Sequence, residues 1–447
     1  MSQQPAPDKE LFGHPFGLYT LFGTEMFERF SYYGMRALLI LYMTAPLTAR
    51  GLGFSTEKGA AIYGWYTFGV YAMSVPGGWV ADKFLGLYRS VLLGGIIIAL
   101  GHFSMAFPST PMFFLGLGLI VLGTGLLKPN VSSLVGTLYS KDDVRRDAGF
   151  SIFYMGINLG AFIAPLVCGY LGQKVNWHWG FAAAGVGMTF GLIQYVAGRK
   201  YIIGASAPAA VTDAVRQRAS DAKAQKKVEP LTTEEWRRLS VIAILFVFAT
   251  LFWAAFEQAG SSLNLFADRY TRLSVFGWTF PSSWFQSEQP LFVIIFAPVF
   301  AGIWMSLGRK RREPSSPTKF VFGLVFVGLG FLLLVPAARI AQAHGMRVSP
   351  GWLTGLYLLH TFGELCLSPV ALSMVTKLSP PRMVGLMMGV WFWTLALGNK
   401  LGGYTAGFFD KLPLPTLFGT VAATTIGAGL VLTFIVPVIR KLMGDVH

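Results

Sequence analysis

Hydrophobic and polar positions in this chain form long blocks instead of alternating with the short period of a sheet. Apolar stretches of about 18 to 28 residues recur from end to end, and each can cross a hydrocarbon core of about 30 Å as a helix. The pattern predicts twelve membrane spans: residues 16–44, 58–81, 87–106, 111–137, 147–171, 178–198, 240–260, 289–307, 318–342, 351–375, 382–405 and 414–440. The longest polar stretch, 199–239, divides six spans from six. We therefore predict an all-α polytopic membrane protein with two six-helix bundles, residues 1–198 and 240–447, joined by a cytoplasmic linker.

Composition and charge placement support the same architecture. Of the 447 residues 53% are hydrophobic and only 13% charged, a balance far from that of a soluble domain. The net charge of +15 would suit a nucleic-acid binder, but its placement argues against one. If both termini are cytoplasmic, about 24 Lys and Arg lie inside, about 7 outside and about 5 within spans. The start, MSQQPAPDKELFGH, lacks the pattern of a signal peptide and is expected to be a polar tail.

Two features narrow the predicted architecture. Two six-helix halves around a central site are typical of major-facilitator transporters, and a basic, Ala-rich linker suits the bridge between them. The loop after the second span, GGWVADKFLGLYRS, resembles the signature loop of that superfamily. Its glycines allow a tight turn, and Asp82 is expected to cap a helix or to pair with Arg89.

The first span contains an unusual polar segment, TEMFERFSYYGMR, at residues 24–36. A charge at the bilayer centre costs about 2.5–3.5 kcal/mol on insertion scales, so each one needs a partner or a water-filled cavity. On a helical wheel six side chains share an arc of about 140°: Glu25, Glu28, Arg29, Tyr32, Tyr33 and Arg36. This stripe, about 16 Å long, is predicted to line a wet pathway, with a static charge network between helices as the alternative.

Other spans offer polar groups for the same cavity. Lys128 lies in GTGLLKPNVSS, Asn158 in FYMGINLGAF, Glu257 in LFWAAFEQAGSS and Glu364 in HTFGELCLSPVALS. With the first span they give four carboxylates against two arginines and one lysine. This near balance implies that the charges pair.

Together these motifs resemble those of the proton-dependent oligopeptide transporter (POT) family of the major facilitator superfamily. They occur in the order expected for that family and cover nearly the whole chain. The segments that carry the resemblance are ExxER at residues 25–29, SYYGMRALL, GGWVADKFLG, FYMGINLG, FWAAFEQAGSSLNLFADR and GELCLSPVALSMVTKLSP. The resemblance implies proton-coupled uptake of di- and tripeptides by alternating access. It also implies a multi-pass monomer of a bacterial inner membrane with both termini cytoplasmic. Protons would be the coupling ion, and no enzymatic activity, cofactor, metal or nucleic-acid partner is expected.

The resemblance also implies roles for individual residues. Proton coupling is expected from Glu25, Glu28, Arg29, Lys128 and Glu257. Arg36 and Glu257 are expected to pair and to close the outer gate. Lys128 and Glu364 are expected to be further gating groups, and Lys128 is also expected to pair with the ExxER segment. The peptide carboxylate is expected at Arg29, Arg36 and Lys128, and its amino terminus at Glu364. The remaining substrate-binding residues are expected to be Tyr32, Tyr33, Tyr71, Asn158, Trp253, Gln289 and Trp391.

Charge balance suggests how peptide and proton would be coupled. If a peptide carboxylate takes the arginine beside a buried glutamate, the glutamate is left unpaired and proton uptake is favoured. Protonation of Glu257 would likewise release Arg36, because breaking a buried pair is worth about 3–5 kcal/mol. A zwitterionic peptide needs basic groups on one side and a carboxylate on the other, so binding would straddle the two halves.

Three departures from the family pattern and several alternatives remain. The second span lacks the histidine of animal members, Gln289 stands where many members have asparagine, and the linker has no apolar run for the two extra helices of many bacterial members. A nitrate-type transporter is one alternative, which Glu364 argues against because a bare anion has no amine. The glycine-rich fifth span weakly suggests a drug efflux antiporter. A membrane enzyme or nutrient sensor lacks support, since the sequence shows no metal or nucleophile constellation.

Overall fold

The computed structural model describes residues 10–140, 143–203, 231–380 and 382–444, and within them the chain forms helical spans that we number in chain order. The first half contains spans 1 (Phe16–Thr44), 2 (Thr56–Ala72 and Ser74–Val80), 3 (Leu87–Met105), 4 (Thr110–Thr137), 5 (Arg146–Tyr170) and 6 (Trp177–Ala197). The second half contains spans 7 (Thr233–Phe256 and Ser262–Tyr270), 8 (Glu288–Arg309), 9 (Ser316–His344), 10 (Gly351–Leu378), 11 (Val384–Ala406) and 12 (Leu414–Met443). We call the end that carries residues 10 and 444 the inner end.

Nine helical segments among the described residues are long and apolar enough to cross a membrane, and spans 1, 2 and 11 fall short of that standard. Span 1 falls short because it carries four charged residues between Glu25 and Arg36. Span 2 is interrupted at Met73, where the ring of Pro76 cannot be accommodated beside the carbonyl of Ala72 in a regular helix. Span 11 contains Asn399 and Lys400. The three spans that look least like membrane helices are therefore those with polar or broken segments.

The predicted boundaries agree with the structure to within a few residues except at span 7. This helix begins at Thr233 and not at 240, because Thr232 and Glu235 form a capping box. The Thr232 amide donates to Glu235 Oε2 at 2.9 Å, and the Glu235 amide donates to Thr232 Oγ1 at 3.2 Å. The linker that was predicted to run to residue 239 therefore ends before Thr233. Its residues 204–230, on which the predicted absence of extra spans depends, lie outside the described residues.

Short elements complete the chain. They comprise the 3₁₀ turns Leu47–Ala49, Glu257–Gly260 and Ser282–Ser287, the π turns Ala81–Leu85 and Leu171–Val175, the helix Arg199–Ile203, and two antiparallel strand pairs, Glu10–Leu11 with His14–Pro15 and Ser274–Val275 with Trp278–Thr279. The expectation for Asp82 is wrong: span 3 is preceded by Gly86 without a side-chain cap. Asp82 and Arg89 are both exposed, and no ion pair of the described residues joins them. At φ +73° Gly86 makes the turn by itself.

Each half is a bundle with its own packing. Span 1 packs on spans 5 and 6, span 3 on spans 4 and 6, and span 9 on spans 10 and 12. The halves meet where span 2 packs on span 11 and span 5 on span 8. At the first seam Gly64 and Gly403 allow the backbones to touch, since a Cβ added to Gly403 would lie 2.6 Å from the Gly64 Cα. A central cavity remains between the two seams.

Candidate functional site

A cavity of about 170 Å³ lies between the halves, and both halves supply its wall. Eight of the predicted site residues line it: Tyr33, Arg36, Tyr71, Asn158, Trp253, Glu257, Gln289 and Glu364. These come from spans 1, 2, 5, 7, 8 and 10. Part of the predicted polar set therefore meets at one place between the bundles, whereas Glu25, Glu28 and Lys128 do not line this cavity.

Arg36 and Glu257 form an ion pair at the outer side of this cavity. Arg36 Nη2 lies 2.5 Å from Glu257 Oε2 and 3.3 Å from the Glu257 carbonyl oxygen, and Nε donates to the Tyr63 hydroxyl at 2.5 Å. Span 7 makes the carbonyl contact possible because its α-helix ends at Phe256 and resumes at Ser262. We call Arg36, Tyr63 and Glu257 the outer clamp. It joins three spans from both halves.

A second group of charges, Glu25, Glu28 and Arg29, lies further towards the inner end of span 1. Arg29 Nε is 3.3 Å from Glu25 Oε1 and also contacts Glu28 Oε2. The three side chains are at most 4% exposed. Within the described part of the chain, one oxygen of each carboxylate and one nitrogen of the guanidinium have no hydrogen-bond partner. We call these three residues the ExxER cluster: two buried carboxylates share a single arginine.

Lys128 does not pair with the ExxER cluster in this conformation, so that expectation is wrong for the state described. Its ammonium nitrogen lies 3.9 Å from the centroid of the Tyr71 ring, and no ion pair of the described residues includes it. A cation over an aromatic face is stabilised by the ring quadrupole without being neutralised. Tyr71 lines the cavity and Lys128 does not. The ammonium of Lys128, which forms no ion pair with the described residues, therefore lies behind the Tyr71 side chain.

The opposite wall holds Glu364. The Gln289 side-chain amide donates to Glu364 Oε2, which fixes the carboxylate in the cavity. Asn158 faces the same cavity and donates its amide to the Tyr154 carbonyl oxygen at 3.1 Å, leaving its oxygen as an acceptor. Thus the first half presents the guanidinium of Arg36 and the second half presents a carboxylate outside any ion pair of the described residues.

Four predicted substrate residues are not part of the cavity wall in this state: Arg29, Tyr32, Lys128 and Trp391. Tyr32 is 1% exposed, and its ring lies 5.2 Å from Arg29 Cζ. Trp391 packs against Phe246, with ring centroids 5.9 Å apart. Trp253 does line the cavity, and its indole nitrogen has no hydrogen-bond partner in the ranges that the structure describes.

The sequence reasoning missed several cavity residues that a spacing argument could have found. Tyr154 precedes Asn158 by four residues, and Tyr357 precedes Glu364 by seven, so each lies on the same helical face as a predicted residue. Gln286, in the 3₁₀ turn before span 8, also lines the cavity. Tyr63 has no such signal, because its role depends on how span 2 lies against Arg36.

The hydrogen bonds between the halves cluster on the outer side of the cavity. Asn264 donates to the Ala37 carbonyl at 2.8 Å, Ser287 to the Phe162 carbonyl at 2.7 Å and the Trp284 indole to the Leu166 carbonyl at 3.1 Å. An exposed pair between Lys411 and Glu57, 2.8 Å apart, lies at the same end, where span 2 meets the loop between spans 11 and 12. The structure is therefore closed towards the outside.

Comparisons with known proteins identify the family. The chain is 43% identical to the uncharacterized transporter YclF of Bacillus subtilis over 98% of this chain and 97% of that protein. It is 40% identical to the peptide transporter YePEPT of Yersinia enterocolitica and 38% identical to a di-/tripeptide transporter of Lactococcus lactis, each over 98% of this chain and 97% and 99% of the relative.

Solved structures show the same fold. A mutant peptide transporter POT in complex with alafosfalin matches 99% of this chain and 98% of its own, with a TM-score of 0.87 and 40% identity. A POT family transporter in complex with 5-aminolevulinic acid gives a TM-score of 0.86 at 32% identity, over 98% of this chain and 99% of its own. The predicted major-facilitator architecture is confirmed. The sequence model of the POT family matches residues 88–219 and 209–421, and the chain belongs to this family of membrane transporters.

Proposed function

We propose that this protein is a proton-coupled symporter that takes up di- and tripeptides by alternating access between its two halves. One observation carries the proposal: the cavity between the halves has the Arg36 guanidinium in one wall and the Glu364 carboxylate in the other. A zwitterionic peptide carries the complementary charges at its two ends. Relatives described as peptide and di-/tripeptide transporters support the same substrate class.

The peptide's amino terminus would bind at Glu364, with the Asn158 oxygen as a second acceptor. Its carboxylate would bind on the side of the first half, where the Lys128 charge is unpaired behind Tyr71. Binding through the two termini leaves the peptide side chains to aromatic walls such as Trp253. Such walls discriminate by only about 1–3 kcal/mol per group, so peptides of many sequences would be accepted.

Proton coupling follows from the charges that surround the cavity. The charge groups described above contain four carboxylates, Glu25, Glu28, Glu257 and Glu364, and three cations, Arg29, Arg36 and Lys128. With every group ionised one negative charge would be uncompensated in a buried region, which is costly unless a proton or the substrate ammonium neutralises it. A proton that enters down about 100 mV gains about 2.3 kcal/mol, and one pH unit adds about 1.4 kcal/mol. The sum would support accumulation by a few hundredfold.

The membrane setting belongs to the same proposal. We propose a bacterial inner membrane because bacterial relatives match nearly the whole chain. The excess of Lys and Arg on the side of the termini supports cytoplasmic termini, and a monomer is the simplest state for a cavity formed by the two halves of one chain. Protons would be its coupling ion without any cofactor or catalytic activity. A nitrate-type substrate is disfavoured because Glu364 would then face a second anion in the cavity.

The proposal can be tested by uptake of a labelled dipeptide into liposomes under an imposed inward proton gradient. We expect accumulation above the external concentration that a protonophore abolishes, and competition by unlabelled di- and tripeptides but not by nitrate. Exit of peptide against an inward proton gradient would instead favour an antiporter. Uptake that is insensitive to the protonophore would refute proton coupling.

A further inference from the structure

A second cleft, separate from the central cavity, opens at the outer end of the seam between spans 5 and 8. Its volume is about 370 Å³. Phe162 and Leu166 of span 5 form one side. The strand pair and 3₁₀ turn between spans 7 and 8, the start of span 8 and the start of span 10 form the rest. The proposed peptide transport gives this cleft no role.

The cleft contains an acidic group that lacks a counter-ion. Glu288, in the first turn of span 8, is half-buried and lines the cleft. Thr354 donates to Glu288 Oε1 at 3.0 Å, which fixes the carboxylate, whereas Oε2 is buried and has no hydrogen-bond partner among the described residues. No Lys or Arg of the described residues forms an ion pair with Glu288. A fixed carboxylate with an unsatisfied buried oxygen is stabilised by a cation that binds beside it.

Aromatic rings line the same cleft as this carboxylate. Trp278, Phe280 and Trp284 all line the cleft, with centroids 5.2 Å apart for the two indoles and 6.0 Å apart for Trp278 and Phe280. The Trp284 indole is oriented by its hydrogen bond to Leu166, while 57% of Trp278 is exposed. Aromatic faces attract organic cations through the ring quadrupole, and several rings around one carboxylate are the recognition pattern for ammonium groups.

We propose that this cleft is a binding site for an ammonium group carried on an apolar body. The carboxylate of Glu288 binds the charge, and Trp278, Phe280 and Trp284 bind the charge and the apolar part. A strongly hydrated metal ion would lack ligands here, because aromatic walls replace the oxygens that hard cations need. A soluble amine and the ammonium of a phospholipid headgroup share this chemistry.

An occupant would contact both halves of the transporter. The cleft joins span 5 of the first half to spans 8 and 10 of the second, beside the bonds of Ser287 and Trp284 to span 5. Opening of the outer side requires this seam to separate. A bound ammonium would therefore stabilise the outward-closed state and slow transport without competing with peptide.

The test uses the full-length protein in nanodiscs of phosphatidylglycerol, with benzyltrimethylammonium as the probe and titration calorimetry as the readout. We expect saturable binding that weakens about tenfold or more in Glu288→Gln, which corresponds to about 1.4 kcal/mol. Trp278→Leu, a change at an exposed ring, should weaken binding about threefold or more. Glu57→Gln, an equal change of charge at the outer surface, is the matched control and should bind like the parent.

A second arm separates the two sources of the ammonium. Nanodiscs that contain phosphatidylethanolamine, without the probe, are compared with phosphatidylglycerol alone for thermal stability of the parent and of Glu288→Gln. Stabilisation that Glu288→Gln removes assigns the site to the lipid headgroup, whereas probe binding alone assigns it to a soluble amine. Equal probe affinity in the parent and Glu288→Gln, or a response to neither source, would overturn the proposal. Neither arm requires peptide transport, so failure here leaves the proposed function standing.

Discussion

The outer clamp makes Glu257→Gln the sharpest substitution for the proposed mechanism. The change keeps the size of the side chain and one accepting oxygen but removes the charge that faces Arg36 at 2.5 Å. Hydrogen bonds to charged groups contribute about 1.5–3 kcal/mol and neutral ones about 0.5–1.5 kcal/mol. The difference between these ranges, about 1–1.5 kcal/mol, is the lower estimate of the loss. Complete breakage of a buried pair, about 3–5 kcal/mol, is the upper bound.

We expect the loss to lie near the lower bound, because two other contacts of Arg36 remain. The Tyr63 hydroxyl and the backbone carbonyl at position 257 both still accept hydrogen bonds from the guanidinium. A loss of about 1.5 kcal/mol lowers the outward-closed population about tenfold relative to the outward-open one. The transporter would still cycle, but without a proton-accepting group in its outer clamp.

Two liposome assays separate these consequences. Proton-driven accumulation of a labelled dipeptide should be lost in Glu257→Gln, whereas exchange against internal unlabelled peptide, without a gradient, should persist. Glu57→Gln, which removes an exposed carboxylate from the same side of the protein, should retain both activities. If accumulation and exchange fall together, or if accumulation survives, the assignment of Glu257 to proton coupling is refuted.

Three further substitutions test neighbouring contacts. Tyr63→Phe removes one hydrogen bond of Arg36, which contributes about 1.5–3 kcal/mol to the closed state. Spin-label distances between the outer ends of spans 2 and 11 should therefore become longer, and an unchanged distance distribution would contradict the role of Tyr63 in the outer clamp. Glu364→Gln should weaken the apparent affinity about tenfold or more for peptides with a free amino terminus, and only slightly for N-acetylated peptides. An equal loss of affinity for both kinds of peptide would contradict the contact between Glu364 and the amino terminus. Gly403→Ala places a methyl 2.6 Å from the Gly64 Cα and should separate the same two spans, which an unaltered spin-label distance would contradict.

Much of the fold could be predicted because hydropathy alone sets the length and position of membrane helices. Span 1 was predicted at 16–44 and is observed at Phe16–Thr44, despite charges that exclude it from a purely apolar criterion. The start of span 7 was predicted seven residues late. The signal was in the sequence, since Thr232 followed by Glu235 is a capping box, but the hydropathy pattern begins later than the helix does.

The candidate site was predictable where residues share a helical face and less so where helices from different halves meet. The charged arc of span 1 follows from a period of 3.6 residues, and its Arg36 indeed faces the cavity. The pair of Arg36 with Glu257, 221 positions away, was expected only from the family resemblance, and the additional contact to Tyr63 depends on the angle between spans 1 and 2. The position of Lys128 over Tyr71 likewise depends on how spans 2 and 4 pack, which the pattern of either span alone does not give.

The two charge groups of span 1 differ in a way that bears on the order of proton binding. Glu257 has Arg36 to itself, so its charge is compensated while the outer side is closed. Glu25 and Glu28 share Arg29, and the Lys128 charge that would balance them lies over an aromatic ring. Two ionised carboxylates beside one guanidinium leave a net negative charge in a buried position, which a proton relieves. We therefore expect the ExxER cluster to hold the proton in the outward-closed state and Glu257 to accept one only after Arg36 has been released.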